Sequence, residues 1–147
     1  MRSEKAELRI QTPDAAFPIA VGDGMADGAD RPPFDIVERA ALFADRCIRA
    51  AQALPDNGVA WELQRQLVRS SGSVGANLAE RKGVLSKPEF NHKVSISLRE
   101  AHETLYWLDR IANAELLPRQ RLQPLMDEGH EIASILTATL KKGRNQS

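Results

Sequence analysis

One stretch of this chain, residues 66–80, constrains its fold more than any other part of the sequence. On an α-helix, side chains at positions i, i+4, i+8 and i+11 share one stripe. The polar residues with this spacing are Arg69, Ser73, Asn77 and Glu80. Small residues, among them Gly72 and Gly75, flank the stripe and would let a second helix approach closely. The stretch therefore predicts a helix that packs tightly against a neighbour.

Length and composition narrow the class of protein. A chain of 147 residues fits one domain that can bury a real core. Its formal net charge of zero gives no overall field toward nucleic acid or an anionic membrane. The single cysteine, Cys47, excludes an internal disulfide and suits a reducing compartment. Because the sequence also has no apolar run of about 20 residues, we expect a soluble cytoplasmic protein that does not associate with membranes.

Residues 1–33 differ from the rest of the chain. They contain four prolines and three glycines without sustained periodicity, which predicts a mostly disordered extension or linker. Met25 is a second candidate for the first residue, and a start there would leave residues 1–24 outside the protein. The predicted domain covers residues 34–142, and residues 143–147 form a tail.

From residue 34 onward, apolar residues recur at alternating spacings of three and four, as on amphipathic helices. The pattern predicts helices over about residues 34–54, 59–82, 86–114 and 118–142, each with one inward seam. The predicted seams are Val37, Ala40, Ala44, Cys47, Ala51 and Leu54; Ala60, Leu63, Leu67, Ser71, Val74 and Leu78; Phe90, Val94, Ser97, Ala101, Leu105, Leu108 and Ala112; and Leu122, Leu125, Gly129, Ile132, Leu136 and Leu140. Ser86 begins the clearest start signal, a capping box that ends at Glu89. Gly83 is expected in the left-handed conformation after the second helix. Four helices with short connections predict an all-α, antiparallel up-down-up-down bundle.

Three blocks of sequence carry a resemblance to a known family. Residues 66–80, 86–90 and 96–108 resemble the bacterial four-helix-bundle proteins of the 23S rRNA intervening-sequence type, and the similarity extends over about residues 34–142. The resemblance implies a relation to accessory proteins of diversity-generating retroelements, which form pentameric barrels and bind nucleic acid with a reverse transcriptase. It therefore implies a homo-oligomer, pentameric by analogy, but no settled biochemical activity. Those accessory proteins are basic, whereas this chain is not.

A polar network is predicted between the second and third helices. If these helices are antiparallel neighbours, Arg69 and Asn77 can face two carboxylates on the third helix. The favoured interpretation is a buried or interfacial network that fixes helix register and the choice of partner. The alternative is a ligand-binding or catalytic site. The candidate residues are Arg69, Ser73, Asn77, Glu80, Glu100, Glu103 and Trp107.

The remaining reactive side chains do not indicate an enzyme. His102 and His130 each lie two residues after a glutamate, which differs from the Glu-x-x-His spacing of di-metal bundles. Cys47 falls on an apolar stripe without a basic partner at helical spacing, which favours a core position. We therefore predict no catalytic residues, no metal, no cofactor and no small-molecule substrate.

Two functions remain open. The favoured hypothesis is a non-enzymatic scaffold that self-assembles into a ring. The alternative is an accessory protein that binds RNA or DNA as an oligomeric ring, weakly and through phosphates, because most of the seven aromatic residues fall on predicted buried stripes. The candidate nucleic-acid contacts are Arg65, Arg81, Lys82, Lys87, Lys141, Lys142 and Arg144.

Overall fold

The computed structural model describes residues 35–84 and 86–146, apart from the side chain of Lys82. The described chain forms α1 (Ile36–Gln52), α2 (Gly58–Glu80), a 3-10 turn (Arg81–Gly83), α3 (Lys87–Asn113) and α4 (Arg119–Asn145), with no strand. The predicted all-α class is confirmed. The extension predicted for residues 1–33 lies outside the described residues.

Side-chain caps determine where three of the helices begin. Asp35 accepts a hydrogen bond from the backbone N–H of Val37 at 3.0 Å, and Asn57 accepts one from Ala60 at 2.9 Å. Ser86 accepts one from the N–H of Glu89 at 3.3 Å, as the sequence predicts. Each cap satisfies one of the N–H groups that a helix start leaves unpaired.

Two helix ends differ from the predictions. The prediction that Gly83 takes the left-handed conformation is wrong, because no described glycine has a positive φ. The chain instead tightens into the 3-10 turn, and the N–H of Val84 donates to the carbonyl of Arg81 at 3.3 Å. α4 continues to Asn145, past the predicted end at residue 142, so part of the predicted tail is helical.

Contacts between neighbouring helices establish an antiparallel arrangement. The Ser97 hydroxyl donates to the carbonyl of Val74 at 3.0 Å, and Lys93 pairs with Glu80, so residue numbers fall along α3 as they rise along α2. The other seams show the same opposite order, through the pairs Gln64–Ala51, Ala40–Gly75, Leu105–Gly129 and Asn91–Gly143. α1 also lies beside α4, whereas among the described residues the diagonal helices have no Cα atoms within 8 Å of each other. The helices therefore follow one another around the bundle.

The core is broader than one stripe for each helix. Most predicted seam positions are buried, and the ones that are only partly covered are Val37, Ala44, Leu63, Phe90 and Leu140. Each helix also buries a second row of residues, because a helix inside a bundle contacts two neighbours. The buried helical residues outside the predicted seams are Phe43, Ala50, Ser70, Thr104, Ile111, Met126 and Ala133, and Leu117 is buried in the loop before α4.

Candidate interaction surfaces

The predicted network between α2 and α3 lies at the surface. Arg69 Nη1 is 3.4 Å from Glu100 Oε2, and Arg69 Nη2 contacts Glu103. Trp107 Nε1 donates to Glu103 Oε1 at 3.1 Å. The Arg69 side chain is 42% exposed, so water screens these pairs, and they contribute at most about 1 kcal/mol each. The sequence analysis allowed a buried network or an interfacial one, and these ion pairs are too exposed to be the buried network.

The rest of the predicted stripe does not join this network. Asn77 Nδ2 donates to the carbonyl of Ser73 in its own helix at 2.9 Å, instead of facing the α3 carboxylates. A short amide readily bonds the carbonyl four residues earlier, and this local bond prevails here. Glu80, at the end of the stripe, pairs separately with Lys93 of α3. The stripe thus contains two distinct surface ion-pair sites.

Buried hydroxyls make the deeper polar contacts between α2 and α3. Ser70, Ser97 and Thr104 are fully buried. The Thr104 hydroxyl lies 3.0 Å from the Ser70 hydroxyl and 2.8 Å from the carbonyl of Glu100. Since Ser97 also bonds the backbone of α2, these small side chains satisfy their polar groups while the helices stay close. The sequence signal for the burial of Thr104 is its position next to Leu105, a residue of the predicted seam.

An ion pair that sequence reasoning missed joins α1 to α4. Arg39 Nε lies 2.6 Å from Glu128 Oε1, Nη2 donates to Oε2 at 2.8 Å, and Arg39 also contacts Glu131. The side chains of Arg39 and Glu128 are 19% and 21% exposed. The hydrogen bonds from Arg39 to Glu128 raise the pKa of the guanidinium above its ordinary value. This bidentate pair is the most buried ion pair of the described residues.

In the described part of the chain, the cysteine is enclosed and the metal-ligating side chains are dispersed. Burial raises the pKa of the Cys47 thiol to about 12, although a hydrogen bond with Ser71 opposes the shift. The thiol is therefore neutral and enclosed, in a state unsuited to nucleophilic attack. Within residues 35–84 and 86–146, no three His, Cys, Asp or Glu side chains are grouped to hold a metal ion. No described helix has both the length and the apolar character that a membrane span requires.

An apolar surface, here named the α1–α2 face, is open to solvent. It contains Ile48, Val68 and Trp61, which are 38%, 39% and 61% exposed. The antiparallel register places Ile48 and Val68 at the same level, between the cross-helix contacts described above. Gly72 lies on the same side of α2, and a Cβ added there would meet no atom within 4 Å.

This exposure corrects the expectation that the aromatic residues are mostly buried. Trp61 is 61% and Tyr106 53% exposed, and Phe43 is the one described aromatic residue that is fully buried. The helical periodicity places Trp61 beside the buried Ala60, which explains the error. Tyr106 packs edge-on against Trp107, with ring centroids 4.9 Å apart, and Arg110 lies 5.2 Å from the centre of the Tyr106 ring.

Several of the predicted cationic residues meet at one end of the molecule. Because of the antiparallel topology, this end holds the starts of α1 and α3 and the ends of α2 and α4. We name as the basic end four exposed cations that form no ion pair with any described residue: Lys87, Lys141, Lys142 and Arg144.

The other predicted cations are placed differently. At the same end, Arg81 is occupied, because Nη2 lies 3.7 Å from Asp35 Oδ1 and the guanidinium stands over the Phe90 ring. Arg65 lies near the opposite end, paired with Glu62 at 2.8 Å. The side chain of Lys82 lies outside the described residues.

Comparison with known proteins agrees with the architecture. The family model described as 23S rRNA-intervening sequence protein matches residues 33–138. A crystal structure of a protein with unknown function from the S23 ribosomal protein family of Bacteroides thetaiotaomicron VPI-5482 superposes with a TM-score of 0.67. Its sequence is 27% identical, and the alignment covers 73% of this chain and 99% of that one. No curated protein matches the chain.

Proposed function

The chain belongs to the 23S rRNA-intervening sequence protein family, and we propose that it is a non-enzymatic helical-bundle scaffold that assembles with copies of itself. The solved relative is described as a protein of unknown function, so the proposal rests on the surface of this chain. The closed thiol of Cys47 supports a role without catalysis.

The α1–α2 face is the observation that carries the proposal. Large apolar side chains at the same level of two helices, beside an open glycine, form a surface against which another helix can pack closely. Tryptophan is enriched in the buried centre of protein interfaces. In a ring, the face of each subunit would meet a different surface of the next one. The family resemblance implies five subunits.

The substitution Val68→Glu tests assembly. A carboxylate in the middle of the face would be desolvated without a partner, which costs enough to separate the subunits. We expect light scattering of the natural chain at micromolar concentration to give several times the 16.2 kDa subunit mass, and about five times if the resemblance holds. The variant should scatter as the subunit alone.

Val59→Glu is the matched control. Val59 is 68% exposed and lies in the first turn of α2, where an acidic side chain is well tolerated. This variant should keep the assembled mass. A natural chain that is monomeric, or a Val68→Glu variant that assembles normally, would contradict the proposed use of the α1–α2 face.

A second candidate function, nucleic-acid binding, is favoured by the basic end. Four exposed cations without described partners gather there, from two helices that are distant in sequence. In a ring, several copies of this patch would act together, so weak contacts could add to useful affinity. The exposed Trp61 and Tyr106 do not lie at this end, which leaves phosphate contacts as its mode of binding.

The expected behaviour is weak, sequence-tolerant binding that decreases steeply with salt. Replacing the cations of α4 together with Gln should lower the affinity, and the salt slope should fall by about one for each phosphate that is no longer neutralised. The measurement is a titration of labelled RNA at two salt concentrations. The three replaced residues are Lys141, Lys142 and Arg144.

A control variant replaces cations away from the basic end, namely Arg49, Arg65 and Arg99, which are exposed. It makes the same change in net charge and should leave most of the binding in place. Equal losses of affinity in both variants would indicate a response to total charge. Absence of binding at about 50 mM salt would exclude this second function.

A further inference from the structure

A second exposed apolar surface flanks α1, on the side that faces α4. Leu42 is 44% and Ile135 is 37% exposed. Leu42 lies three positions after Arg39, so it shares the side of α1 that carries the Arg39–Glu128 ion pair. Ile135 lies seven positions after Glu128, and the exposed Pro124 lies four positions before it, so both share the matching side of α4. The residues named here as the α1–α4 face are Leu42, Arg46, Pro124 and Ile135.

Two adjacent charged residues of α1 point out of different faces. Arg46 lies seven positions after Arg39, on the α4 side, and Asp45 lies three positions before Ile48, on the α2 side. Neither forms an ion pair with a described residue. The Nε atom of Arg46 is buried and has no hydrogen-bond partner in the described part of the chain. An unpaired N–H of a charged group is costly, which favours an acceptor from outside the subunit.

The contacts of Gly75 and Gly129 with α1 fix the heights of residues on α2 and α4. Gly75 lies against residue 40 of α1, and Gly129 lies against residue 43. Because the helices are antiparallel, each step forward along α2 or α4 is a step back along α1. The exposed Ala79, four positions after Gly75, is therefore level with about residue 36 of α1. Ile135, six positions after Gly129, is level with about residue 37.

The same register aligns a second pair of apolar residues. Val68 lies seven positions before Gly75, level with about residue 47 of α1. Pro124 lies five positions before Gly129, level with about residue 48. Apolar residues therefore recur at the same two heights on the α1–α2 face and on the α1–α4 face.

These two faces meet the geometric requirements of a small closed ring. Rotation about an axis parallel to the helices keeps every residue at its height, so residues that meet across a ring interface are level with each other. The two contact faces of a subunit diverge by about 90° in a ring of four and by about 108° in a ring of five. Adjacent faces of a four-helix bundle diverge by roughly 90°.

From these observations we propose that the α1–α2 face of each subunit packs against the α1–α4 face of the next copy, with the helices roughly parallel to the ring axis. This inference rests on the proposed scaffold function and names the surface that completes its interface. Ile135 then packs on Ala79 and Pro124 on Val68. The guanidinium of Arg46 donates to the carboxylate of Asp45 in the neighbouring copy. The partner is a second copy because the apolar heights and the signs of the charges match between the two faces.

The helix that both faces share, α1, then faces the ring axis, and α3 faces the outside. The exposed charged residues of α1 on the axis side carry both signs and are Glu38, Asp45 and Arg49. A channel of mixed charge attracts a polyanion weakly. A nucleic acid is therefore expected to contact the ring at the basic end of its subunits.

Cross-linking between differently labelled chains tests the contact. Chains with Ala79→Cys are mixed with chains with Ile135→Cys, allowed to exchange subunits and treated with a short bis-maleimide. We expect a covalent dimer on a denaturing gel, because the two positions are level across the interface. Each variant alone should give no dimer, because like faces do not meet in a head-to-tail ring. The natural chain is the blank, since its Cys47 is enclosed.

Ser134→Cys is the matched control. Ser134 is exposed and adjacent to Ile135, but consecutive helical residues point about 100° apart. Mixed with Ala79→Cys chains, this variant should give no dimer. Light scattering of the same samples separates the two proposals. Assembled chains without the link between positions 79 and 135, with an equal link to position 134, or with links between identical positions would overturn this inference alone. A monomeric natural chain would overturn the scaffold function as well.

A double-mutant cycle tests the ion pair between copies. Asp45→Asn and Arg46→Gln should each raise the dissociation constant of the assembly about tenfold. The double variant should also raise it about tenfold, because the second change removes a partner that is already lost. Circular dichroism checks that every variant keeps its helix content. Singles without effect, or a double effect of about a hundredfold, would overturn the proposed pairing of the two faces.

Discussion

The substitution Gly129→Ala should lower the free energy of unfolding by up to about 2 kcal/mol, even though alanine is the better helix former. A Cβ at this position would lie 2.8 Å from Leu105 Cδ2 and 3.1 Å from Phe43 Cζ, both in the packed core. The clash of about 1–3 kcal/mol outweighs the gain of about 1 kcal/mol in helix propensity. Urea unfolding at a fixed subunit concentration measures the difference.

Gly72→Ala is the matched control for this experiment. Gly72 is also in the middle of a helix, but a Cβ there meets nothing within 4 Å. Within one subunit only the propensity term acts, so the variant, compared in the Val68→Glu background that keeps the α1–α2 face unassembled, should be more stable by about 1 kcal/mol. If Gly129→Ala stabilised the protein as much as Gly72→Ala does, α1, α3 and α4 would have to pack more loosely than described.

Arg39→Met should lower the free energy of unfolding by about 2–3 kcal/mol, a larger loss than the one expected for Gly129→Ala. Methionine keeps much of the apolar stem but removes the guanidinium that holds Glu128 at two oxygens. The side chain of Glu128, 21% exposed, would then lose its partner in a partly buried place, which is the costly way to break an ion pair. The measurement is again the urea midpoint at fixed subunit concentration.

Arg69→Met provides the comparison, because Arg69 also faces two carboxylates but is 42% exposed. Solvation already stabilises Arg69 and Glu103, and Glu100, although only 20% exposed, is held by one long contact of 3.4 Å, so the loss of stability should be below about 1 kcal/mol. Similar losses in the two variants would mean that burial of Arg39 adds nothing to its ion pair.

The sequence was sufficient for what depends on neighbours along the chain. The spacing of apolar residues identified all four helices, because burial of one face imposes a period near 3.6 residues. Ser86 was recognisable as a cap because its bond partner is three residues away. The antiparallel order followed from the short connections.

What the sequence did not show depends on pairs brought together by the fold. Arg39 and Glu128 are 89 positions apart, and neither stands out from the other charged residues on its helix. The exposure of Trp61, and the hydrogen bond that Asn77 makes within its own helix, likewise depend on where the neighbouring helices lie. Periodicity locates a face of a helix, but it does not determine how far a neighbour covers that face.

The contact between α1 and α4 has a consequence for the motions of the bundle. The other three seams each join helices that a short loop connects, whereas this one joins the first and last helices of the described chain. α1 and α4 also contact each other over a shorter stretch than the other neighbouring pairs do. We therefore expect the partial unfolding that needs least free energy to be the separation of α1 from α4, while α2, α3 and α4 remain packed.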